Sequence, residues 1–367
     1  MSGESLLFAN LGAEEGETWP RMAAHARVRA AARLWSALFP SSARAVGGRA
    51  ACGSLDAALA RDAERAALEL CGSEPGLVPW LSTDEAAELA LRMRVPLRAA
   101  PPRVAAAVHD KAFALATARA LGLLPSEFAE TAFALAPSEL GAADAVRCRI
   151  EDELAHWPAE LRARFVLKPR FGTSGRGRLA GRAGRVDPDA LRGALPRLRE
   201  RGGCLVEPWV ERVCDLSAQL WIKAVDDVRV LGTLRQAVTP DGVPLGHAGR
   251  LAGGGEPESG SRWEAELRAA ALALGRAAAE LGYTGPCGLD AFSFRARDGA
   301  EKFRAVVEWN ARFTAGTSAI GLVARARRAG LADGASAFYV GFAPSPVAGR
   351  RVEIFSDDAE LALWLSP

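Results

Sequence analysis

One stretch near the end of the chain, residues 303–312, constrains the fold more than any other. Its first half is apolar enough for a strand in a core, and its second half carries a polar group at every second position. Because the side chains of a strand alternate between its two faces, Glu308, Asn310 and Arg312 are predicted to project from one face. Two interpretations are open: a functional site at the end of a buried strand, or an edge strand with a solvated face.

A second carboxylate, Asp290, lies in the preceding predicted strand between apolar neighbours, where an ordinary core strand gains nothing from it. A hairpin centred on Gly299 would place Asp290 directly opposite Glu308, with Cβ atoms about 5 Å apart. A one-residue bulge would break this pairing. Two carboxylates that close repel unless a cation lies between them, and oxygen ligands favour Mg²⁺ over zinc. Asn310 is expected to add a carbonyl ligand.

A glycine-rich turn follows a predicted strand that ends in Lys168. Its glycines are Gly172, Gly175 and Gly177. The turn matches neither the Walker loop nor the GxGxxG pattern, and a plain hairpin turn is the alternative. Glycines expose backbone N–H groups and allow close approach to a phosphate. With Lys168 before the turn and Arg176 and Arg178 in or beside it, the sequence fits a lid over a polyphosphate.

Composition excludes several classes of protein. Among the 367 residues, 46 basic and 44 acidic side chains are interleaved, so nothing indicates a nucleic-acid or membrane partner. The six cysteines include no CxxC pair and there are four histidines, so a zinc site is not expected. No signal peptide and no apolar run of about 18 residues is visible, which favours the cytoplasm.

Predicted strands and helices alternate over the first hundred residues, which indicates an α/β layer domain. The Pro101–Pro102 pair is a plausible boundary, because consecutive prolines interrupt regular structure. We therefore expect an N-terminal domain over residues 1–104 and a second domain over residues 105–367.

Five motifs, in order over about residues 105–320, together resemble the ATP-grasp superfamily of ATP-dependent ligases. They are His109-Asp110-Lys111, Val166-Leu167-Lys168-Pro169 with the glycine loop, Leu205-Val206-Glu207-Pro208-Trp209-Val210, Gly288-Leu289-Asp290, and Glu308-Trp309-Asn310-Ala311-Arg312. His109 departs from the family's usual Asn. The resemblance implies an α/β (α+β) ATP-grasp fold with an N-terminal α/β pre-ATP-grasp domain. It also implies a small ATP-lid subdomain at about 125–210 and a large subdomain at about 211–367.

The resemblance also implies roles for individual residues. Lys111 and Lys168 would contact the ATP phosphates, Glu207 would accept the adenine amino group, and Arg312, with Lys168, would act on the transferred phosphate. The Trp209 side chain is predicted to pack against the protein rather than to recognise adenine specifically. Its backbone would line the adenine base. The remaining nucleotide contacts would be Gly172, Thr173, Ser174, Gly175, Gly177, Val210 and, at the ribose, Asp215. The Mg²⁺ ligands, with Mn²⁺ as an alternative ion, would be Asp290, Glu308 and Asn310.

The activity implied is the ADP-forming ligation of a small-molecule carboxylate to an amine or a thiol through an acyl-phosphate. An ATP-grasp carboxylase or phosphotransferase and a non-catalytic nucleotide-binding module remain alternatives, and a homodimer is an open option. A tight lid would protect an acyl-phosphate from water. Residues 172–177 and 251–261 are the predicted lid loops.

Overall fold

The computed structural model describes residues 5–46, 55–71, 74–159, 161–172, 177–239, 244–251, 255–296, 298–342, 345–355 and 358–367. Within these residues the strands form three sheets, and each sheet belongs to a different part of the chain.

The N-terminal part is a three-stranded parallel sheet with helices between its strands. Its elements are β1 (Ser5–Phe8), α1 (Trp19–Met22), α2 (Ala26–Ser36), β2 (Arg44–Val46), α3 (Ala57–Ala60), β3 (Gly76–Pro79) and α4 (Asp84–Met93). The order is β2-β1-β3, and a short 3-10 helix, Ala13–Glu15, follows β1. Helix α4 begins where the Thr83 hydroxyl accepts a hydrogen bond from the Ala86 N–H. The alternation predicted for this region is therefore present.

The middle part is a four-stranded antiparallel sheet in the order β4-β7-β5-β6. Its elements are α5 (Pro102–His109), α6 (Lys111–Ala120), α7 (Ser126–Ala129), β4 (Phe133–Leu135), α8 (Ala143–His156), β5 (Phe165–Pro169), β6 (Leu179–Gly181), α9 (Pro188–Glu200) and β7 (Cys204–Pro208). Apolar side chains of α8 and α9, such as Ile150 and Leu195, pack with Leu167 and Val206 of the sheet. This packing places Gly172, where the glycine-rich stretch begins, at one end of the small sheet.

The C-terminal part is an eight-stranded antiparallel sheet among the described residues. Its elements are β8 (Arg212–Ala224), β9 (Asp227–Val238), β10 (Pro244–Arg250), α10 (Glu264–Glu280), β11 (Gly285–Arg295), β12 (Glu301–Asn310), α11 (Ala315–Arg328), β13 (Ala337–Phe342), β14 (Arg350–Phe355) and β15 (Asp358–Ser366). The order is β12-β11-β8-β9-β10-β13-β15-β14. The last 45 or so residues, which match no motif, thus include three strands of this sheet.

Two helices cover opposite faces of the large sheet. Helix α10 packs on the face that carries Leu216 and Trp309. Helix α11 packs with Leu234, which is paired with Ser217 and therefore lies on the other face. Asp290 is also paired with Ser217. The polar residues of the predicted site thus share the α11 face, beyond the area that the helix covers.

The N-terminal sheet contacts the large sheet close to residue 312. Phe313 packs in an aromatic cluster with Trp35, Phe39 and Trp80, at centroid distances of 5.8, 5.9 and 6.5 Å. Arg325 of α11, which is fully buried, donates hydrogen bonds to the backbone carbonyls of Ala37 and Phe39. These contacts hold the residues that follow α2 and β3 near the end of β12. The domain boundaries at residues 104 and 210 stay predictions.

None of the helices in the described part of the chain has the length and hydropathy that crossing a membrane requires.

Candidate active site

The two predicted carboxylates lie opposite each other. Asp290 of β11 is paired with Glu308 of β12, as the sequence predicts, although not for the predicted reason. Near the turn the pairs are offset by two residues from a hairpin centred on Gly299, so that Phe292 faces Arg304. Residues 305–307 then lie opposite Ala291 alone, and this irregularity restores the Asp290–Glu308 pair. The even shift returns Glu308 to its predicted face, whereas within the irregular stretch Val306 packs in the core beneath α10 and Val307 lines the cleft.

The pKa of Asp290 reflects its surroundings. Burial, followed by the nearby Glu308 carboxylate, raises this pKa to about 7. Hydrogen bonds from the amide groups of Gln236 (2.5 Å) and Asn310 (3.1 Å) oppose the rise but do not cancel it. A carboxyl that is hard to ionise next to a second carboxylate is an arrangement that a bound cation would relieve.

Lys111 joins this pair from the other side of the cleft. Only 6% of it is exposed, its Nζ lies 3.1 Å from Glu308 Oε1, and it donates a 2.7 Å hydrogen bond to the Gly172 carbonyl. Lys111 is the first residue of α6, which Asp110 caps by accepting from the Ala112 N–H. The capped helix start therefore holds the lysine between the acidic pair and the glycine-rich turn.

His109 connects the same helix junction to the end of β12. It is buried, and its Nδ1 accepts a hydrogen bond from the Ala311 N–H at 3.1 Å. Burial, with the nearby Arg312 and Lys111 charges, holds the pKa of His109 well below its usual range, so the ring is neutral and can accept. A side-chain amide oxygen could accept the same bond, so histidine and asparagine can fill the same acceptor role at this position.

A second set of charged residues, the Glu207 cluster, consists of Glu207, Lys168 and Arg304 and is centred on the small sheet. Glu207 of β7 is 1% exposed, and its two carboxylate oxygens accept from Lys168 of β5 and from Arg304 of β12. Burial would raise the pKa of Glu207, but the Arg304 and Lys168 charges outweigh it and lower the pKa to about 2. Burial lowers the pKa of Lys168, and Glu207 offsets this only in part. The predicted adenine acceptor is therefore ion-paired.

These charged groups lie together in the cleft between the small four-stranded sheet and the large eight-stranded sheet. A narrow part is lined by residues of both sheets, among them Lys111, Lys168, Gly172, Gln236, Asp290 and Glu308. A wider part of about 1540 Å³ continues past Trp209, Val210 and Asp215. Trp209 lies beneath the Arg178 and Arg212 guanidinium groups, and Arg212 pairs with Asp215 at 2.6 Å. The wide part is thus lined by Trp209, Val210 and Asp215 of the predicted base and ribose site, and the narrow part by the predicted phosphate and metal residues Lys111, Lys168, Asp290 and Glu308.

Arg312 lies at the far end of the acidic pair and is 7% exposed. Its guanidinium donates to the Asn310 amide oxygen (3.1 Å) and the Phe313 carbonyl (2.9 Å), and its Nε lies 3.1 Å from Glu14 Oε1. Glu14 belongs to the 3-10 helix after β1, and nothing in the local sequence marks it. The N-terminal sheet therefore contributes a charged partner to the predicted site.

The predicted lid loops are only partly described. Thr173, Ser174 and Gly175 lie outside the described residues. Gly177 has φ +75°, a conformation that favours glycine. In the second loop, Glu258 exchanges backbone hydrogen bonds with Arg250 and Ser259 N–H donates to Thr233 Oγ1. The described end of that loop is thus fixed to the large sheet, which does not favour a lid.

The site also holds residues with no predicted role: Glu14, Arg212, Gln236 and Arg304. A signal existed for Arg304, since an arginine inside an apolar strand pattern is unusual. The described residues include no group of three or more His, Cys, Asp and Glu side chains that could hold a metal ion. Two carboxylates are nevertheless sufficient for Mg²⁺ when substrate phosphates complete the coordination.

No model of a known protein family matches this sequence, and no curated protein matches it. Solved structures do. A Campylobacter jejuni biotin carboxylase is 13% identical with a TM-score of 0.54, over 99% of this chain and 87% of that one. The biotin carboxylase domain of the Hydrogenobacter thermophilus 2-oxoglutarate carboxylase is 15% identical with a TM-score of 0.53, over 100% and 87%. A Staphylococcus aureus N5-carboxyaminoimidazole synthetase is 10% identical with a TM-score of 0.50, over 100% and 93%.

At such identities the likeness shows the fold. The chain has the ATP-grasp fold, and the fold class predicted from the motifs is confirmed.

Proposed function

We propose that this protein is an ATP-dependent, ADP-forming ligase that activates a carboxylate as an acyl-phosphate and joins it to an amine or a thiol. One observation carries the proposal: the Asp290–Glu308 pair faces Lys111 in a cleft that Lys168 also lines. Opposed carboxylates are unfavourable, and Lys111 pairs with Glu308 rather than with Asp290. Two lysines in the same cleft suit a polyanion that brings a further cation to the pair.

The side chains present fit a magnesium ion held jointly with phosphates. Asp290 and Glu308 would supply carboxylate oxygens, and the Asn310 amide oxygen, which accepts from Arg312, keeps a second lone pair for the metal. Mg²⁺, or Mn²⁺ in its place, would neutralise the charge that develops on the transferred phosphate. Because a metal ligand must be deprotonated, the bound ion would also keep Asp290 ionised at neutral pH.

The nucleotide would lie along the cleft. Lys111 and Lys168 would bind its phosphates with backbone N–H groups of residues 172–177, including Thr173, Ser174 and Gly175. The wide part would receive the base at Glu207 and the Trp209–Val210 backbone, and the ribose at Asp215. The neighbouring structures support this proposal, since the Campylobacter enzyme was solved as a β-γ-ATP complex and the Hydrogenobacter domain with MgADP and bicarbonate.

The chemistry needs little from the protein beyond alignment and charge neutralisation. A carboxylate oxygen attacks the γ-phosphorus, the bond to the β,γ-bridging oxygen breaks, and ADP leaves. An amine or thiolate then attacks the acyl carbon and phosphate leaves. Arg312, held by Glu14 and Asn310, would contact the transferred phosphate from a fixed position. This assignment explains the absence of a nucleophile–base pair among the proposed residues.

Two alternatives share the same site. A carboxylase or phosphotransferase would use the same phosphate and metal contacts with bicarbonate or a hydroxyl group as acceptor. A non-catalytic nucleotide-binding module would need neither carboxylate of the acidic pair, which favours an enzyme. Our proposal includes small-molecule substrates, a cytoplasmic location and, as an open option, a homodimer, the form in which the Hydrogenobacter domain was solved.

Product analysis tests the proposal. The protein is incubated with Mg·ATP and pools of carboxylic acids, amino acids, amines and bicarbonate, with hydroxylamine added to trap an acyl-phosphate as a hydroxamate. We expect ADP release that depends on one of the carboxylic acids, together with formation of a hydroxamate. AMP as the product contradicts the mechanism, ADP release with bicarbonate alone favours a carboxylase, and ATP binding without turnover in any pool favours the non-catalytic module.

A further inference from the structure

Arg304 is a buried cation that the proposed ligase chemistry does not use. It lies in β12, is 2% exposed, and projects among apolar residues rather than into the cleft. Its guanidinium carbon is 4.3 Å from the centre of the Phe128 ring and 5.7 Å from that of Phe292. Burying a charge is costly unless it is paired, so this arginine requires a partner and a reason.

Its partner is Glu207. Arg304 Nη2 donates to Glu207 Oε1, while Arg304 Nε donates to the Val306 carbonyl at 3.0 Å. The backbone bond, the ring contacts and the irregular register at residues 305–307 leave the guanidinium one position. Arg304 is therefore a fixed counter-ion.

Lys168 is the other cation on Glu207, and it differs from Arg304 in its freedom. Its Nζ is bonded to Glu207 Oε2, yet its side chain is 16% exposed and lines the narrow part of the cleft. Lys168 and Glu207 occupy diagonal positions on β5 and β7. A flexible lysine at the cleft wall can turn to another anion, whereas Arg304 cannot.

Turning Lys168 away would normally be opposed. Breaking a buried ion pair by removing one partner is strongly destabilising, because it leaves an uncompensated charge. With Arg304 in place, Glu207 keeps one full counter-ion after Lys168 leaves. The oxygen that Lys168 releases, Oε2, then becomes an acceptor with no donor.

On the basis of the proposed function, we propose that Arg304 is a positioning residue for an exchange of partners on Glu207. When a nucleotide enters, Lys168 moves to its phosphates and the 6-amino group of adenine replaces Lys168 on Oε2. Arg304 holds Oε1 throughout. The exchange couples recognition of the base to delivery of the phosphate lysine, and it selects a purine that carries a donor at position 6.

Binding of ATP and of ITP, which has a 6-oxo group instead of the amine, separates this role from a structural one. Calorimetry of the full chain with Mg²⁺ is expected to show that the wild type prefers ATP by about 100-fold, because ITP would leave the buried Glu207 Oε2 without a donor. In Arg304→Met, Lys168 is the counter-ion that Glu207 keeps among the described residues, and it stays on Glu207. ATP affinity should fall by about 100-fold while ITP affinity changes little, so the preference for ATP should largely disappear.

Two further variants define the cause. Arg304→Lys keeps the charge but not the bond to Val306, so an intermediate preference is expected. Arg262→Met is the matched control, since exposed Arg262 also lies over an aromatic ring, Trp263, and pairs with a glutamate, Glu301, outside the cleft. It should bind ATP and ITP as the wild type does.

The outcomes are distinct. A wild type that binds no ATP overturns the proposed function and this exchange with it. A wild type that binds ATP while Arg304→Met keeps the full ATP preference, or loses ATP and ITP affinity equally, overturns the exchange alone. Arg304→Lys equal to Arg304→Met excludes a charge effect and also overturns it. If thermal melts show that Arg304→Met is unfolded, the neutral Arg304→Gln replaces it, and retention of the preference there has the same meaning.

Discussion

Glu207 and Asp290 are both carboxylates in the same cleft, but their pKa values lie on opposite sides of the usual range. The pKa of Glu207 falls to about 2, and that of Asp290 rises to about 7. Burial raises both. The difference is that two cations hold Glu207, whereas a second carboxylate lies beside Asp290. The comparison teaches that the protein completes one of its charged sites by itself and leaves the other to be completed by a ligand.

The sign of each pH effect follows from linkage. Because the folded-state pKa of Glu207 is depressed, its contribution to stability is present above about pH 4.5 and is lost as the pH falls toward 2. Because the folded-state pKa of Asp290 is raised, its contribution is present below about pH 3.8 and is lost as the pH rises through 7. The ligand-free protein is therefore penalised near neutral pH at Asp290 and stabilised there at Glu207.

The largest expected effect is on turnover. Glu308→Gln removes one carboxylate from the acidic pair and should lower ATP turnover by about 1,000-fold or more, since a catalytic metal contributes several kcal/mol. The protein should still fold, because Lys111 keeps its bond to the Gly172 carbonyl. Steady-state ADP release measures the loss. The control is Glu301→Gln, the same change at the other end of β12, and turnover by Glu308→Gln equal to that of the control would remove Glu308 from the metal site.

The next effect is on stability. Glu207→Gln leaves Lys168 and Arg304 buried without their counter-ion, and we expect it to lower the free energy of unfolding by about 3–5 kcal/mol. Urea denaturation at pH 7 measures the change. Glu353→Gln, which affects an exposed pair with Arg351, should change the stability by less than about 0.5 kcal/mol. Equal stabilities of the two variants would show that the Glu207 cluster is not a stabilising unit.

Asp290→Asn should raise the free energy of unfolding rather than lower it. It removes the carboxyl whose ionisation burial and Glu308 oppose, so the ligand-free variant should be more stable than the wild type by about 2 kcal/mol at pH 8. The gain should shrink toward pH 4, where Asp290 is protonated in the wild type. Denaturation curves at pH 5 and pH 8 measure it. A variant that is less stable than the wild type at pH 8 would show that the acidic pair is satisfied without a ligand.

The smallest expected effect is a shift in the pH at which the stability of the ligand-free protein falls. Gln236→Leu removes the amide that donates to Asp290 Oδ1, a bond that lowers the Asp290 pKa. The loss of one hydrogen bond to a charged group, about 1–2 kcal/mol, should move the pH at which stability falls upward by about one unit. Arg229→Gln, at an exposed position of the same strand, is the control. An unchanged pH profile in Gln236→Leu would exclude Gln236 from the titration of the pair.

The sequence predicted the charged residues of the cleft better than it predicted their partners. The Asp290–Glu308 pair and the strand that ends at Lys168 follow from alternation and turn signals, which are local. The irregular register at residues 305–307 was not predicted, because two departures cancel in the Asp290–Glu308 pair. The pairs near the turn are offset by two residues, and residues 305–307 lie opposite Ala291 alone. Glu14 reaches Arg312 only because Phe313 packs against Trp35 and Trp80 of the N-terminal part.

By itself, the sequence determined the two strands that carry Asp290 and Glu308, which face of them is polar and that the motifs occur in ATP-grasp order, because these properties depend on residues close together in the chain. Only the tertiary structure decided how the charges are shared. Arg304 and Glu207 are 97 residues apart, and Arg312 lies beside a glutamate from the first twenty residues. Whether a buried charge is satisfied depends on such distant partners. The acidic pair was therefore visible in the sequence, while the pairing of Arg304 with Glu207 was not.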